Sequence, residues 1–146
     1  MIEHVIEHVY EVDDELVQAL AYLVPQLTAN RAPSLAELRA LVAFPGSVLL
    51  VARESEAGPI VGSATLCLLH APTGIHARLE DVVVDVALRG KGIGAALTRE
   101  VLRIARESGA GYVALTSNPR REAANKLYQK MGFKKWETNV YRYDLT

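Results

Sequence analysis

A chain of 146 residues, half of them hydrophobic, 23% charged and with a formal net charge of −1, has the composition of one globular domain. Such a chain buries roughly two thirds of the surface its unfolded form exposes. Near-neutral charge excludes a polyanion-binding surface, so nucleic acid is not an expected partner, and the apolar content excludes disorder.

The first residues, Met1 to His8, alternate charged and apolar side chains. They lack the basic start and continuous apolar core of a signal peptide, and no run approaches the ~18 apolar residues that span a bilayer. A cytoplasmic protein with no membrane partner is the expectation. Residues 2–12 suit a strand. Asp13 or Asp14 then caps a helix carrying Leu16, Leu20, Leu23 and Leu27 at helical spacing, which Pro25 kinks or shortens. After a loop from Ala29 to Pro33, Ser34 followed by Glu37 is a capping-box pattern that opens a second helix through about Ala43, stopped by Pro45-Gly46. Val48 to Val51 and Ile60 to Leu69, separated by a charged turn with Gly58-Pro59, predict an antiparallel hairpin. The one cysteine, Cys67, lies in the second of these runs. It excludes an internal disulfide and a multi-cysteine metal site, and reads as a buried thiol packing like a small hydrophobe. A third strand follows at about Ile75 to Val86.

The helix after residue 92 carries Ile93, Leu97, Val101 and Ile104 or Ala105 on one face and meets Gly109 as its C-terminal stop. Tyr112 to Ser117 reads as a buried strand and Arg121 to Lys130 as a helix ending at Gly132. Two short strands, Phe133 to Trp136 and Val140 to Leu145, close the chain. The order is β-α-α-β-β-β-α-β-α-β-β, an α/β domain built on a mixed sheet.

Chemistry concentrates where the third strand, Val82-Val83-Val84, runs through Arg89-Gly90-Lys91-Gly92-Ile93-Gly94 into a helix. Glycines at every second position leave the backbone bare of Cβ, so successive N–H groups can converge on an anion at the helix N-terminus. Gly90-x-Gly92-x-x-Ala95 also satisfies the relaxed dinucleotide fingerprint, but the next strand ends in Thr116-Ser117-Asn118 and lacks the acidic residue that fingerprint requires. A nucleotide P-loop is excluded because no Gly-Lys-Ser/Thr follows. A ligand-free turn is the structural alternative.

Together with Asn118-Pro119 and Asn125-Lys126-Leu127-Tyr128-x-x-x-Gly132-Phe133, this turn resembles the GNAT superfamily of acetyl-CoA-dependent N-acetyltransferases, most clearly over residues 47–135. The resemblance implies the GNAT fold, a twisted sheet with helices on both faces and a splayed central strand pair, occupying residues 1–146 as a single domain. It implies acetyl-CoA as cosubstrate and no metal. The backbone amides of Arg89, Gly90, Lys91, Gly92, Ile93 and Gly94 would receive the CoA pyrophosphate, with the Arg89 and Lys91 side chains adding charge. Val82, Val83 and Val84 would lie beside the pantetheine arm. A bulge would free one N–H, from Val83 or Val84, to face the thioester oxygen, where negative charge develops.

Tyr128 occupies the position where many GNAT enzymes place a tyrosine near the CoA sulfur, and a phenol of pKa ~10 is still protonated at neutral pH and suits a general acid. Its alternative is packing. Asn118 and Asn125 are cofactor candidates by the same resemblance. For Asn118 a turn or helix-cap role is the alternative, and for Asn125 a bond to a nearby backbone group.

An aliphatic amine is only about 0.1% neutral at pH 7, so a base is needed. Glu80, a few residues before the expected bulge, is the candidate base or amine-binding residue. Asp81 would face the other side of a regular strand. His70 and His76 read as solvated loop residues. Leu79-Glu80-Asp81-Val82-Val83-Val84 looks like the matching segment of hexosamine-phosphate acetyltransferases and of many other small-molecule members. No evident extra phosphate-binding feature selects that substrate. The expected acceptor is a small-molecule amine, with a protein or peptide amine and a homodimer left open. Substrate choice is assigned to the loop Thr28 to Pro33 and the turn Glu137 to Asn139. The expected reaction is direct attack of the bound amine on the thioester. The alternatives are a non-catalytic acyl-CoA-binding or sensing domain and, more distantly, a nicotinamide-dependent oxidoreductase.

Overall fold

The structure, a computed structural model, describes residues 4–146. It divides into two compact units, one ending at Leu115 and the other running Thr116–Thr146.

The first unit is a five-stranded sheet in the order β1-β2-β3-β4-β5, with strands at Val5–His8, Ser47–Arg53, Ile60–Ala71, Gly74–Val84 and Val113–Ala114. Neighbours are antiparallel except β4 and β5, which are parallel. The strand expected over residues 2–12 is thus only Val5–His8, although Val9 N–H still bonds the Leu49 carbonyl at 2.9 Å; residues 2 and 3 lie outside the described residues. Helix α1 (Asp14–Leu23) starts under the Asp13 side chain, which accepts from Leu16 N–H. Pro25 ends it by forcing a tighter turn over Val24–Gln26. Helix α2 (Leu35–Ala43) opens with the full reciprocal capping box of Ser34 and Glu37.

Period-2 alternation sends the two faces of β2 to different helices. Leu49 and Val51 pack with Leu16, Leu20 and Leu38 from α1 and α2. Ala52 sits opposite Gly62, and a Cβ at Gly62 would lie 3.3 Å from both Ile93 and Leu97. Those two residues belong to α3 (Ile93–Glu107), so α3 covers the other face. Helices therefore flank the sheet on both sides, as expected.

The second unit holds α4 (Glu122–Lys130), closed by Gly132 at φ +102. Three expectations need correction. The strand expected over Tyr112–Ser117 is reduced to Val113–Ala114 and is half-buried, because only two of its residues pair with β4. The strands expected at 133–136 and 140–145 do not form. These residues have no ladder partner among the described residues, and Trp136, Val140, Tyr141, Tyr143 and Leu145 are exposed. An alternating sequence makes a strand only where an edge accepts its backbone hydrogen bonds. Cys67 is half-buried rather than enclosed.

Candidate active site

The site begins with a counting mismatch between β3 and β4. Ser63 pairs with Val83 but Thr65 pairs with Glu80, so Ala64 faces both Asp81 and Val82. Asp81 absorbs the extra residue with φ +52, the one positive value at a non-glycine residue among those described. Aspartate tolerates this region better than most side chains do. The bulge reverses the alternation of the strand. Before it, Ala77 N–H points to β5 and bonds the Tyr112 carbonyl at 3.0 Å; after it, Asp85 N–H points to β3 and bonds the Val61 carbonyl at 2.8 Å. Val83 therefore faces β3, and Val82 and Val84 turn their backbone groups away from it. Of the two residues expected to offer a free N–H, Val83 is committed to the β3 ladder and Val84 is on the outward side, joined by Val82.

That outward side is open because β4 and β5 separate after two pairs, Ala77 with Val113 and Arg78 with Ala114, while β4 continues to Val84. This is the splayed strand pair. The carbonyl of Val84 accepts from Arg89 Nε at 3.2 Å, which fixes the Arg89 side chain at the mouth of the splay.

The glycine turn follows. Gly90 and Gly92 take φ +82 and +86, values that cost a side-chain-bearing residue strain. A Cβ on either would meet nothing within 4 Å, so the bare backbone borders open space. Gly92 is the N-cap of α3, with no side-chain cap and no acidic residue in the first turn. The first helical bond comes from Ala96 N–H. The N–H groups of Ile93, Gly94 and Ala95 are left without intrahelical partners at the positive end of the helix dipole. This donor set fits a pyrophosphate.

Four contacts that composition did not suggest hold the turn in place. The carbonyl of Lys91 lies 2.9 Å from His4 Nε2. The Asp85 side chain accepts from Ala87 N–H and from the Tyr22 hydroxyl, and Gln26 Oε1 accepts from Val86 N–H at 2.8 Å. Tyr22 and Gln26 lie one helical turn apart, the only trace of this clasp in the sequence. Beneath the turn, Ile93 and Leu97 press on Gly62, where a side chain would force the helix start away from β4.

Glu80 lies on β4 just before the bulge, and its Oε1 accepts from Arg78 Nε at 2.9 Å. Opposite Arg78 stands Cys67, whose thiol is pushed up by burial and by the Glu80 charge. A raised thiol holds less thiolate at neutral pH than an ordinary cysteine.

In the second unit, Asn118 Oδ1 accepts from Arg120 N–H at 2.9 Å, a turn role and not the helix cap, which falls to Arg121. Asn125 Nδ2 donates to the carbonyls of Asn118 and Arg121, both at 3.0 Å, and so ties the loop to α4. Tyr128 is 7% exposed and meets Phe133 edge to face at 5.6 Å. Burial pushes its phenol above the ordinary value. Glu80, Val82, Val83, Val84 and the Arg89–Gly94 turn thus belong to the first unit, and Asn118, Asn125 and Tyr128 to the second.

A splayed strand pair thus lies beside an uncapped helix start behind a glycine turn, on one side of a mixed sheet. The chain matches the acetyltransferase (GNAT) family over residues 10–133. It belongs to that family, the acetyl-CoA-dependent N-acetyltransferases. It is 36% identical over 124 residues to a glucosamine 6-phosphate N-acetyltransferase of Trypanosoma brucei brucei, covering 83% of this chain and 80% of the relative. It is 37% identical over 115 residues to a probable glucosamine 6-phosphate N-acetyltransferase 2 of Oryza sativa subsp. japonica, covering 75% and 66%. Among solved structures, a Trypanosoma brucei acetyltransferase superposes with TM-score 0.78 at 29% identity, covering 98% of this chain and all of the other.

Proposed function

We propose that the whole chain acts as one N-acetyltransferase domain, moving the acetyl group of acetyl-CoA to a primary amine of a small molecule by direct attack in a ternary complex. One observation carries this reading: the uncapped N-terminus of α3, behind two left-handed glycines, opens beside the stretch of β4 whose backbone is released by the bulge at Asp81. Donors from Arg89 to Gly94 hold the pyrophosphate. The released edge of Val82 and Val84 pairs with the peptide-like pantetheine arm as an added strand would. The outward N–H of Val84 faces the thioester oxygen as its charge develops.

Glu80 draws the proton from the amine, directly or through water, and its bond to Arg78 orients the carboxylate. Tyr128 protonates the departing thiolate, and a phenol kept neutral by burial is suited to that task. Asn118 and Asn125 shape the loop that borders the cofactor. The loop Thr28 to Pro33 selects the acceptor, stiffened by the Arg31 ion pair to Glu37 at 2.6 Å; the turn Glu137 to Asn139 is the second selecting segment. A reducing cytoplasm suits the free thiol of Cys67.

The test is release of free CoA thiol from acetyl-CoA with a panel of amines. The two relatives above place a hexosamine phosphate first in the panel, followed by unphosphorylated aminosugars, polyamines and peptide amines. Amine-dependent thiol release supports the reading. Tight CoA binding without turnover across the panel would make this a binding or sensing domain instead.

A further inference from the structure

One peptide of the glycine turn is gripped from the far end of the sequence. The carbonyl of Lys91 lies 2.9 Å from His4 Nε2. A carbonyl oxygen only accepts, so Nε2 carries the ring hydrogen in this contact. His4 is half-buried, and its Nδ1 is enclosed with no hydrogen-bond partner among the described residues. An enclosed nitrogen without a partner is unfavourable, and the bond to Lys91 is what offsets it.

Strand β1 sets this placement. His8, four residues on, pairs with Leu50 and lies beside α3, where burial pushes its imidazole below the ordinary value and the Glu100 carboxylate opposes that shift. From His4 to His8 an extended chain advances ~13 Å, and from the N-cap Gly92 to Glu100 a helix advances ~12 Å. Strand and helix keep step, so seating His8 near Glu100 brings His4 to the start of α3.

The consequence lies in the peptide that His4 grips. The Lys91 carbonyl and Gly92 N–H belong to one planar trans unit and point in opposite directions. With the carbonyl turned to His4, Gly92 N–H is turned away from it and meets no acceptor among the described residues. It is the donor that precedes those of Ile93, Gly94 and Ala95 at the uncapped helix start. Glycine tolerates φ of either sign, so without a restraint the Lys91–Gly92 peptide can turn over. A carbonyl oxygen would then face the anion in place of a donor.

We propose that His4 is a positioning residue for acetyl-CoA: by holding the Lys91 carbonyl it aims Gly92 N–H at the pyrophosphate. This role rests on the turn being the pyrophosphate cradle.

His4→Phe keeps a ring and removes the donor, whereas His4→Gln puts an amide N–H where Nε2 stands. Titration calorimetry with CoA should show ~10-fold weaker binding for His4→Phe, the loss expected for one misdirected donor to a charged partner, and parent-like binding for His4→Gln. In turnover the loss should appear in KM for acetyl-CoA with kcat unchanged. It should be absent with S-acetylpantetheine, which has the thioester and no pyrophosphate. A substitution that merely loosened the fold would lower turnover with both donors. If His4→Phe fails to fold, His4→Ala takes its place. Parent-like CoA affinity in the variant without a donor would overturn the proposal, as would an equal loss with both acyl donors or a His4→Gln variant as weak as His4→Phe. A parent chain that binds CoA but releases no thiol ends the catalytic reading alone, and calorimetry still decides the role of His4. A parent chain that does not bind CoA ends both.

Discussion

Gly92→Ala separates the ligand's need for a bare backbone from the fold's need for a positive φ. At Gly92 the φ of +86 costs an alanine about 1–2 kcal/mol, and its Cβ meets nothing within 4 Å, so the variant folds with a melting temperature a few degrees lower. In the proposed complex, however, the methyl group enters the space the pyrophosphate takes and displaces it from at least one backbone donor. Hydrogen bonds to a charged partner contribute about 1.5–3 kcal/mol, so CoA affinity should fall about 10- to 100-fold. Gly74→Ala is the matched control, because Gly74 has φ +125 and equally empty surroundings but is the first residue of β4, where it pairs with Ala71 at the end of the β3–β4 hairpin. It should show the thermal loss and leave CoA binding untouched. Titration calorimetry with CoA and differential scanning calorimetry on both variants supply the two numbers. Parent-like CoA affinity in Gly92→Ala would refute the cradle and leave the turn a structural device.

Tyr128→Phe keeps the ring against Phe133 and removes the proton, so kcat should fall roughly 100-fold while acetyl-CoA affinity holds. Because burial raises the phenol, the alkaline limb of the parent pH–rate profile should lie above the ordinary phenol value of ~10 and be absent in the variant. An unchanged kcat where chemistry limits the rate would return Tyr128 to packing. Glu80→Gln should lower turnover more at pH 7 than at pH 9, where more amine arrives deprotonated. A loss equal at both pH values would exclude Glu80 as the base. Gly62→Ala brings a methyl group to 3.1 Å from the Val83 carbonyl and 3.3 Å from Ile93 and Leu97. It should destabilise the protein by about 1–3 kcal/mol and weaken CoA binding together with it, read by chemical denaturation and calorimetry.

Sequence alone determined the parts of this protein whose causes are local. Asp13 and the Ser34–Glu37 box start their helices by bonding backbone groups a few residues away, and Pro25 stops one for want of an N–H. Gly90 and Gly92 mark a turn that only glycine enters without strain, and the GNAT motif could be read because its glycines and the helix they open are contiguous. Tertiary structure decided what depends on partners distant along the chain. The bulge at Asp81 exists only as a register difference between β3 and β4, and no property of Val82, Val83 or Val84 tells which N–H it releases. Gly62 looks like any strand glycine until α3 lies on it, and the grip of His4, Tyr22 and Gln26 on the cradle spans up to 87 positions of sequence. The tail shows the same division most plainly. Its alternation predicts strands over 133–136 and 140–145 that do not form, because a strand is completed by a neighbouring edge that accepts its backbone hydrogen bonds and alternation alone does not supply one.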